Sequence, residues 1–472
     1  MEQGTTARER DDSGTGPPTL AAIGNTPMVE LRNLDTGPCR LFAKLEQFNP
    51  GGSIKDRIAL GMVEAAERDG HLKPGGTIVE ATSGNTGIGL ALVAALKGYR
   101  MILIIPDKMS QEKIQQCRAL GAEVIVTRTD VPPGHPLQYQ TMAADIEART
   151  PGALYIRQHY NPDNPAVHEA TTGPEIMAQM DGDLDAIVGG IGTAGTMTGL
   201  GRYFRKVAPG VKMILADPAG SLLAPYVQTG ELTEPGAWVV EGIGEDELPP
   251  VGDMSLIDEA IVVSDRDSLL TARDLLKAEG IMGGSSTGTI VAAAVQWCRR
   301  QTAARRAVAI VPDGGDKYLS KMYDDHWMAD QGFIERKTYG DLRDLIARRH
   351  DEHEDVTVPP DATLAIALGK MRLFNISQLP VLEDDRIIGL IDETDLLQRV
   401  LANTDIRGAF GDRVETAMTS KLETLPPDAG LNDVKATFDK GFVALIRDGS
   451  RYWGLVTRTD LLNWLRRNRP AA

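Results

Sequence analysis

A lysine at the start of a predicted helix is the residue of this sequence with the clearest chemical potential. Lys55 ends the run Asn49–Lys55 (NPGGSIK), and an amphipathic stretch, Ile58–Ala66, follows it. Ser53 stands where a helix N-cap is expected, so Lys55 falls in the first helical turn. An ammonium beside the positive end of a helix dipole loses proton affinity. The neutral amine is the form that attacks a carbonyl or holds a Schiff base; the alternative is an ordinary surface lysine beside a turn.

Four further loops contain small, hydroxyl-bearing or acidic residues. Glu80–Gly87 (EATSGNTG) offers donors for a carboxylate, and Gly189–Gly199 (GGIGTAGTMTG) has the small residues of a phosphate cradle. The second of these lacks the GxxxxGK[ST] pattern of a nucleotide-binding P-loop. Gly283–Gly288 (GGSSTG) is by itself a helix cap, and Glu241–Asp246 (EGIGED) fits a solvated turn or a substrate lid. Each loop alone is also consistent with a turn that has no function.

These residues must be positioned by an alternation of strands and helices. From about Leu20 to about Phe333, short apolar runs alternate with helical stretches such as Gly87–Lys97 and Gln111–Leu120. This alternation predicts an α/β domain with a largely parallel sheet, whose ligands bind where strands end. The strand-like segments are Thr77–Glu80, Met101–Ile105, Glu123–Thr127, Leu154–Arg157, Asp185–Val188, Met213–Asp217 and Ala307–Val311.

The last part of the chain repeats itself. Pro359–Ala362 (PPDA) returns as Pro426–Ala429, and Ile388–Leu397 (IGLIDETDLL) returns as Trp453–Leu462 (WGLVTRTDLL). Two copies of one small unit predict a pseudo-symmetric α+β pair with a shared buried interface. We therefore predict a disordered N-terminus at 1–18, a catalytic domain at 19–333, a charged and partly helical linker at 334–355, and repeats at about 356–411 and 412–472.

Composition limits the class of protein. The 472 residues are 42% hydrophobic and 25% charged, which is ordinary for a globular protein. A net charge of −16 argues against nucleic acid or an anionic membrane as a main partner. Cys39, Cys117 and Cys298 have no CxxC spacing, so neither a disulfide framework nor a metal site is indicated. The first twenty residues lack the apolar core of a signal peptide, and we expect a cytoplasmic protein.

Taken together and in this order, the motifs resemble those of fold-type II pyridoxal-phosphate enzymes. From about Leu20 to Phe333 the chain looks like the group that contains the cystathionine β-synthases and cysteine synthases. The tail resembles a pair of CBS domains, a regulatory module appended to many members of that group.

The resemblance implies a role for each motif. Lys55 would form a Schiff base with pyridoxal phosphate and act as the catalytic base. Asn85 would hydrogen-bond the 3′-oxygen of the cofactor, and Ser286 would meet its pyridine nitrogen. The phosphate would be held by Gly192, Thr193, Ala194, Gly195 and Thr196. Ala194 replaces a usual glycine, and its methyl group requires a negative φ. The substrate would be bound by Thr82, Ser83, Thr86, Gln158, Glu241 and Glu245.

The implied reaction is a β-replacement through an aminoacrylate, and two versions of it compete. Asp325–Met328 and Glu241–Gly244 look like the enzymes that join L-serine and L-homocysteine, whereas Asn164–Glu169 looks closer to the cysteine synthases, which use O-acetylserine and sulfide. Glu245 stands where the animal enzymes carry a tyrosine near the second substrate, so its carboxylate either meets the homocysteine ammonium or faces water. We favour cystathionine synthesis. A serine or threonine dehydratase, and an adenosyl-ligand sensor without catalysis, are the other classes.

In the tail, the resemblance implies an adenosyl-binding motif. The second repeat has Thr457 and Asp460 at the ribose-binding positions, while the first repeat keeps Asp395 but has Asp392 in place of the hydroxyl residue. We therefore expect one site for S-adenosylmethionine or an adenine nucleotide, with oligomerisation or stability as the alternative role of the tail. Residues 1–38 lack the Cys and His that bind haem in animal relatives, so we expect no haem, and we expect a homodimer or homotetramer.

Overall fold

The computed structural model describes residues 17–468 except Ser83, Lys108 and Pro133, and the chain divides into two compact units. The first unit ends at Asp324 and the second begins at Asp325. Most of the predicted disordered segment, 1–18, lies outside the described residues. None of the helices in the described part of the chain combines the length and apolar character needed to span a membrane.

Two sheets form the framework of the first unit. Its strands are β1 (Met28–Leu31), β2 (Arg40–Leu45), β3 (Thr77–Ala81), β4 (Arg100–Pro106), β5 (Glu123–Thr127), β6 (Ala153–Tyr155), β7 (Ala186–Gly189), β8 (Lys212–Pro218), β9 (Glu259–Val263) and β10 (Arg306–Val311). One sheet has the order β1-β2-β10-β7-β8-β9, and the other has the order β5-β4-β3-β6. Only β1 pairs antiparallel, with Met28 opposite Lys44, and every other pairing within these two sheets is parallel.

Helices connect the parallel strands and cover the sheets. They are α1 (Lys55–Arg68), α2 (Asn85–Lys97), α3 (Gln111–Ala119), α4 (Tyr139–Arg149), α5 (Asp163–Val167), α6 (Gly173–Gln179), α7 (Gly195–Val207), α8 (Leu223–Thr229), α9 (Asp265–Glu279) and α10 (Ser285–Arg299). In β10, Ala307 and Ala309 pack in the cluster that includes α9 and α10, whereas Val308 packs in the cluster that includes α7. The larger sheet is therefore buried on both faces, as expected of parallel strands.

The predicted parallel α/β class is confirmed, and all seven predicted strands are present. β5 has the predicted bounds, and β6 begins and ends earlier than the predicted Leu154–Arg157. Three strands, β1, β2 and β9, were not predicted. Candidate residues follow the carboxyl ends of β3, β6 and β7, where ligands of parallel sheets are expected: Thr82 after β3, Gln158 after β6 and Gly192–Thr196 after β7.

The second unit contains the two predicted repeats. Its strands are β11 (Gln378–Glu383), β12 (Arg386–Asp392), β13 (Thr424–Leu425), β14 (Ala444–Asp448) and β15 (Arg451–Val456). Its helices are α11 (Asp325–Asp330), α12 (Leu364–Phe374), α13 (Glu393–Leu401), α14 (Ile406–Ala409), α15 (Leu431–Asp439) and α16 (Arg458–Arg467). Ile387 of the first repeat packs with Leu445 and Tyr452 of the second. The predicted shared interface is therefore confirmed.

The stretch 334–355 is packed, although the sequence led us to expect few core residues in it. Leu342, Leu345 and Ile346 are buried in one cluster with Trp453 of the second repeat. Arg336 bonds Glu352 and Glu354, so much of the charge in this stretch is paired within it. A few apolar residues among many charges are therefore enough to anchor this stretch, and its role as a linker stays a prediction.

Candidate active site

Lys55 is the first residue of α1, as the sequence predicts. The Lys55 backbone N–H donates to Ser53 Oγ at 3.2 Å, and the Ile54 N–H donates to the Pro312 oxygen at 2.8 Å. Ser53 therefore contributes to the helix start, although Ile54 is the residue that immediately precedes the helix. Desolvation lowers the pKa of the Lys55 amine, and the carboxylates of Asp313 and Glu245 oppose that shift. The lowered pKa was predicted, but burial rather than the helix dipole is its main cause.

Lys55 lines a cleft at the start of α1. The loop between β7 and α7 supplies much of the lining, and residues of α10, of the end of β10 and of the acidic loop complete it. The lining residues are Ile54, Lys55, Gly189, Gly190, Gly192, Thr193, Ala194, Gly195, Thr196, Gly242, Ile243, Ile290, Ile310 and Pro312.

The loop before α7 has no room for larger side chains. A Cβ atom on Gly195 would lie 1.8 Å from Asn164 Oδ1, and one on Gly192 would lie 2.7 Å from the Gly242 oxygen. Asn164 Nδ2 donates to Thr193 Oγ1 at 3.0 Å and holds the loop from the side. The backbone amides at the start of the 13-residue helix α7 are therefore left close to the cleft, where an anion is favoured.

Ala194 corrects one expectation about this loop. Its φ is 64°, in the left-handed region, and not negative as the methyl group led us to expect. A non-glycine residue in this region costs roughly 1–2 kcal/mol. The helix start that this conformation permits evidently outweighs that cost in the folded chain, because Ala194 caps α7.

Thr196, the last residue predicted to hold a phosphate, contacts a buried histidine. Thr196 Oγ1 lies 3.2 Å from His168 Nε2, and His168 Nδ1 lies 2.9 Å from Thr172 Oγ1. Burial lowers the pKa of His168 well below its usual range, so the ring is neutral at pH 7. His168 was not predicted, because its contact with the loop depends on a π-helical turn, His168–Thr172, that no sequence pattern indicated.

The residues predicted to bind a substrate carboxylate come together at the start of α2. Thr82, Thr86 and Gln158 are all buried. Thr86 Oγ1 donates to Gln158 Oε1 at 2.6 Å, and the Gly84 N–H donates to Thr82 Oγ1 at 3.2 Å. Because Gln158 Oε1 accepts this bond, its amide N–H groups remain available as donors. Ser83, predicted for the same role, lies outside the described residues.

Asn85 is the first residue of α2, and its amide is held by two residues that were not predicted. Asn85 Nδ2 donates to Asp313 Oδ2 at 2.8 Å, and Lys317 Nζ donates to Asn85 Oδ1 at 3.3 Å. Asp313 follows β10 in the run Pro312–Gly315 (PDGG). A glycine-containing loop after a parallel strand is a signal that could have indicated it.

Ser286 lies in the first turn of α10 and is buried. The helix begins at Ser285, so Ser285 and Ser286, which the sequence placed in the capping segment Gly283–Gly288, are themselves helical. Ser285 Oγ accepts the backbone N–H of Glu241 at 2.9 Å and joins the acidic loop to this helix.

The two predicted carboxylates of the acidic loop have different surroundings. Glu241 Oε2 lies 2.7 Å from Lys113 Nζ and Oε1 lies 2.6 Å from Lys321 Nζ, which lowers the pKa of Glu241. Burial and nearby carboxylates, among them Asp246, raise the pKa of Glu245 to about 8. Both oxygens of Glu241 are engaged, which argues against a direct contact between Glu241 and the substrate.

The predicted regulatory residues lie in the second unit. Thr457 is the N-cap of α16, and its N–H and Oγ1 both donate to Asp460 Oδ2 at 2.7 Å. Asp392 and Asp395 form the equivalent capping box of α13. The two repeats therefore use the same local structure at these positions, with a hydroxyl group only in the second.

Two further features concern metal-binding side chains and cysteines. No group of three or more His, Cys, Asp and Glu in the described part of the chain is arranged to hold a metal ion. Cys39, Cys117 and Cys298 are buried free thiols.

Comparison with known proteins identifies the two parts of the chain. The family described as "Pyridoxal-phosphate dependent enzyme" matches residues 19–313, and the CBS domain family matches residues 343–402 and 414–467. Two solved structures match the first part. The hydrogen sulfide-producing enzyme of Fusobacterium nucleatum is 36% identical with a TM-score of 0.60, over 64% of this chain and 99% of that one. O-ureido-L-serine synthase is 36% identical with a TM-score of 0.59, over 66% and 98%.

Curated relatives match nearly the whole chain. The cystathionine beta-synthase of Mus musculus is 41% identical over 82% of this chain and 70% of its own length. That of Apis mellifera is 35% identical over 96% and 91%, and that of Saccharomyces cerevisiae is 35% identical over 94% and 96%. The chain therefore belongs to the pyridoxal-phosphate dependent enzymes, and within them to the cystathionine beta-synthase family.

Proposed function

We propose that this chain joins L-serine and L-homocysteine to give L-cystathionine and water, with pyridoxal phosphate as cofactor. One observation carries the proposal: the amine of Lys55, whose pKa is lowered, lines the same cleft as the glycine-rich start of α7. The similarity to cystathionine beta-synthases extends through both parts of the chain, which favours this reaction over cysteine synthesis.

Lys55 and the phosphate loop, which line the cleft, fit this cofactor, as do Asn85 and Ser286, which do not line it. The amine of Lys55 can react with the aldehyde carbon of the cofactor. The amide of Asn85 can hydrogen-bond its 3′-oxygen, and the hydroxyl of Ser286 can hydrogen-bond its pyridine nitrogen. The phosphate suits a helix N-terminus at which side chains larger than glycine would clash. We propose that the phosphate is held by Gly192, Thr193, Ala194, Gly195 and Thr196. When bound, pyridoxal phosphate withdraws electrons from the substrate α-carbon and makes the α-proton acidic.

Lys55 then acts as the base. The lowered pKa favours the neutral form of Nζ, which is the form that takes the α-proton of serine. The same Nζ returns a proton to the α-carbon after the thiol has replaced the serine hydroxyl. The position at the start of α1, fixed by the bond from the Ile54 N–H to the Pro312 oxygen, keeps this atom inside the cleft.

Different residues would bind the two substrates. We propose that Thr82, Ser83, Thr86 and Gln158 bind the serine carboxylate. Glu245, half-buried next to the phosphate loop, would accept the homocysteine ammonium, which Glu241 is not free to do because two lysines already hold it. This arrangement selects a thiol that carries an amino group over sulfide.

The experiment is a product assay. The purified chain, loaded with pyridoxal phosphate, is incubated with L-serine and L-homocysteine, and cystathionine is measured by mass spectrometry. We expect cystathionine from the native chain and none above background from Lys55→Ala. More cysteine from O-acetylserine and sulfide than cystathionine would favour the alternative synthase, and pyruvate from serine without a thiol would favour a dehydratase.

For the second unit we propose a regulatory role. A single adenosyl ligand, S-adenosylmethionine or an adenine nucleotide, would bind at Thr457 and Asp460, with Asp395 as the corresponding residue of the first repeat. We retain the domain boundaries given above but assign residues 342–346 to this module, because they are buried in its core. The absence of haem, the cytoplasmic location and the homodimer or homotetramer stay predictions.

A further inference from the structure

Lys317 is a buried lysine to which the proposed reaction gives no role. It lies in the short 3-10 helix Gly315–Tyr318, and 2% of its surface is exposed. Its Nζ atom donates to the carbonyl oxygens of Gly52 at 2.8 Å and Gly51 at 3.5 Å. Burial of a lysine amine costs free energy unless the amine is hydrogen-bonded. The hydrogen-bond partners of Lys317 therefore indicate which segments it positions.

The third bond of Lys317 fixes the amide of Asn85. Lys317 Nζ donates to Asn85 Oδ1 at 3.3 Å, and Asp313 Oδ2 accepts from Asn85 Nδ2 at 2.8 Å. A lysine that donates and a carboxylate that accepts determine which end of an amide carries the oxygen. One hydrogen of Nδ2 is used by Asp313, and the other remains to be donated elsewhere.

Asp313 is itself held in place. Its Oδ2 atom also accepts the hydroxyl of Tyr318 at 2.8 Å, and Lys113 Nζ donates to that hydroxyl at 3.1 Å. Its Oδ1 atom is buried and has no hydrogen-bond partner among the described residues. Asn85 therefore rests on partners that are rigidly positioned rather than on mobile surface groups.

Lys317 also joins two segments that face the cofactor. Through Gly51 and Gly52 it holds the turn before Lys55, and through Asn85 it holds the start of α2. In the proposed complex, Lys55 reacts with the aldehyde carbon of the cofactor and Asn85 hydrogen-bonds its 3′-oxygen. These two groups are attached to neighbouring atoms of the pyridine ring. A small displacement of either segment relative to the other would misplace one of the two contacts.

We propose that Lys317 is a positioning residue that, together with Asp313, orients the Asn85 amide so that Nδ2 donates to the 3′-oxygen of pyridoxal phosphate. This inference rests on the proposed function, because it requires the cofactor at Lys55.

The test measures cofactor affinity rather than turnover. Apo-protein of the full chain is titrated with pyridoxal phosphate, and binding is followed by protein fluorescence and by the visible absorbance of the bound cofactor. Lys317→Met and Asn85→Ala are each expected to weaken binding about tenfold and to shift the absorbance band in the same direction. The double variant should be no weaker than the weaker single variant, because both remove one interaction. Lys317→Arg should restore affinity to within about threefold.

Lys44→Met is the matched control. Lys44 is as fully buried as Lys317, but its Nζ donates to the Thr26 oxygen and to Glu175, away from the cleft. This variant should lower the melting temperature without changing cofactor affinity. If Lys317→Met fails to fold, Asp313→Asn, which alters the other partner of the Asn85 amide, replaces it in the same cycle with Asn85→Ala.

Two results would overturn the inference. Independent, multiplicative effects of Lys317→Met and Asn85→Ala would show that Lys317 supports the fold without acting through Asn85. Unchanged affinity with a lowered melting temperature would show the same. Failure of the native chain to bind pyridoxal phosphate would instead contradict the proposed function itself, so the two failures are distinguishable.

Discussion

Glu245 is the residue at which we expect the second substrate to be selected. Burial raises the pKa of its carboxyl group to about 8, with further contributions from Asp246, Glu247 and Asp217. A cation bound next to it would favour the ionised form and bring the pKa down. An amino thiol supplies that cation, and sulfide does not.

Replacing Glu245 by glutamine is expected to raise the KM for homocysteine about tenfold, since a hydrogen bond to a charged group contributes on the order of 1.5–3 kcal/mol. In the native chain the KM for homocysteine should fall as the pH rises from about 7 towards 8, because the free carboxyl group becomes ionised. The glutamine variant should lose this pH dependence. Initial rates at several pH values with serine held in excess give both quantities.

A thiol without an amino group, 2-mercaptoethanol, is the control nucleophile. Its KM should be the same in the native chain and in Glu245→Gln. An equal loss with both thiols would mean that Glu245 shapes the cleft without binding the ammonium.

Glu80 gives a second prediction, about stability. It lies inside the buried run of β3, and burial raises its pKa to about 8 from an ordinary value of 4.5. The unfolded chain ionises this carboxyl near pH 4.5 and the folded chain only near pH 8, so the folded state loses stability as the pH rises between these values. Glu80→Gln should therefore melt at least about 2 °C above the native chain at pH 8.

The check is a series of thermal melts from pH 5 to pH 8. The difference in melting temperature between Glu80→Gln and the native chain should grow steadily with pH over this range. A difference that is constant with pH would show that Glu80 is already ionised in the folded chain.

At the level of single residues, the sequence predicted those that lie in short local motifs. Lys55 and Asn85 stand in runs of glycine and hydroxyl residues whose composition indicates a function. Asp313 and Lys317 were missed because their importance arises from contacts across 228 and 232 residues of chain. No local pattern contains that information, although the glycine-rich loop after β10 gave a hint of it.

The start of α7 is the element on which cofactor binding should depend most directly. Gly195→Ala places a Cβ atom 1.8 Å from Asn164 Oδ1, so either Asn164 or the loop must move. We expect at least a tenfold loss of affinity for pyridoxal phosphate, measured by titration of the apo-protein. Gly210→Ala is the matched control, because a Cβ atom there meets nothing within 4 Å. If both variants bind the cofactor as the native chain does, α7 does not hold the phosphate.

The elements that the sequence failed to predict have identifiable physical reasons. β1 has only four residues, which is too short for a periodic pattern. β2 contains Lys44, a residue that argues against a buried strand unless its partners are known. Glu175 and Gln179 supply those partners from 131 and 135 residues away. Predicted strands such as β4 and β8, by contrast, are nearly continuous apolar runs, because they are buried on both faces.

At the scale of the whole molecule, we expect the second unit to bind the regulatory adenosyl ligand. Thr457 and Asp460 form a helix cap in the structure, so a cap alone would account for both residues. A regulatory site requires in addition that an adenosyl ligand bind there, and that it have different affinities for two states of the enzyme.

We expect isothermal titration of the full chain with S-adenosylmethionine, or separately with AMP, to show about one site per chain. Thr457→Val should abolish that binding. It should also remove about 1 kcal/mol of stability, because it removes an N-cap side chain. Loss of stability therefore does not test the site, whereas loss of binding does.

Asp392→Ala is the control that separates the two effects, because Asp392 caps α13 through the same kind of capping box in the first repeat and alanine removes the capping oxygen. It should lower stability in the same way as Thr457→Val and leave ligand binding intact. If neither ligand binds the native chain, the hydroxyl and carboxylate of the second repeat serve only as a cap. If Asp392→Ala abolishes binding and Thr457→Val does not, the ligand occupies the first repeat. If the ligand binds as expected, its effect on turnover at saturating serine and homocysteine then shows whether the second unit regulates the first.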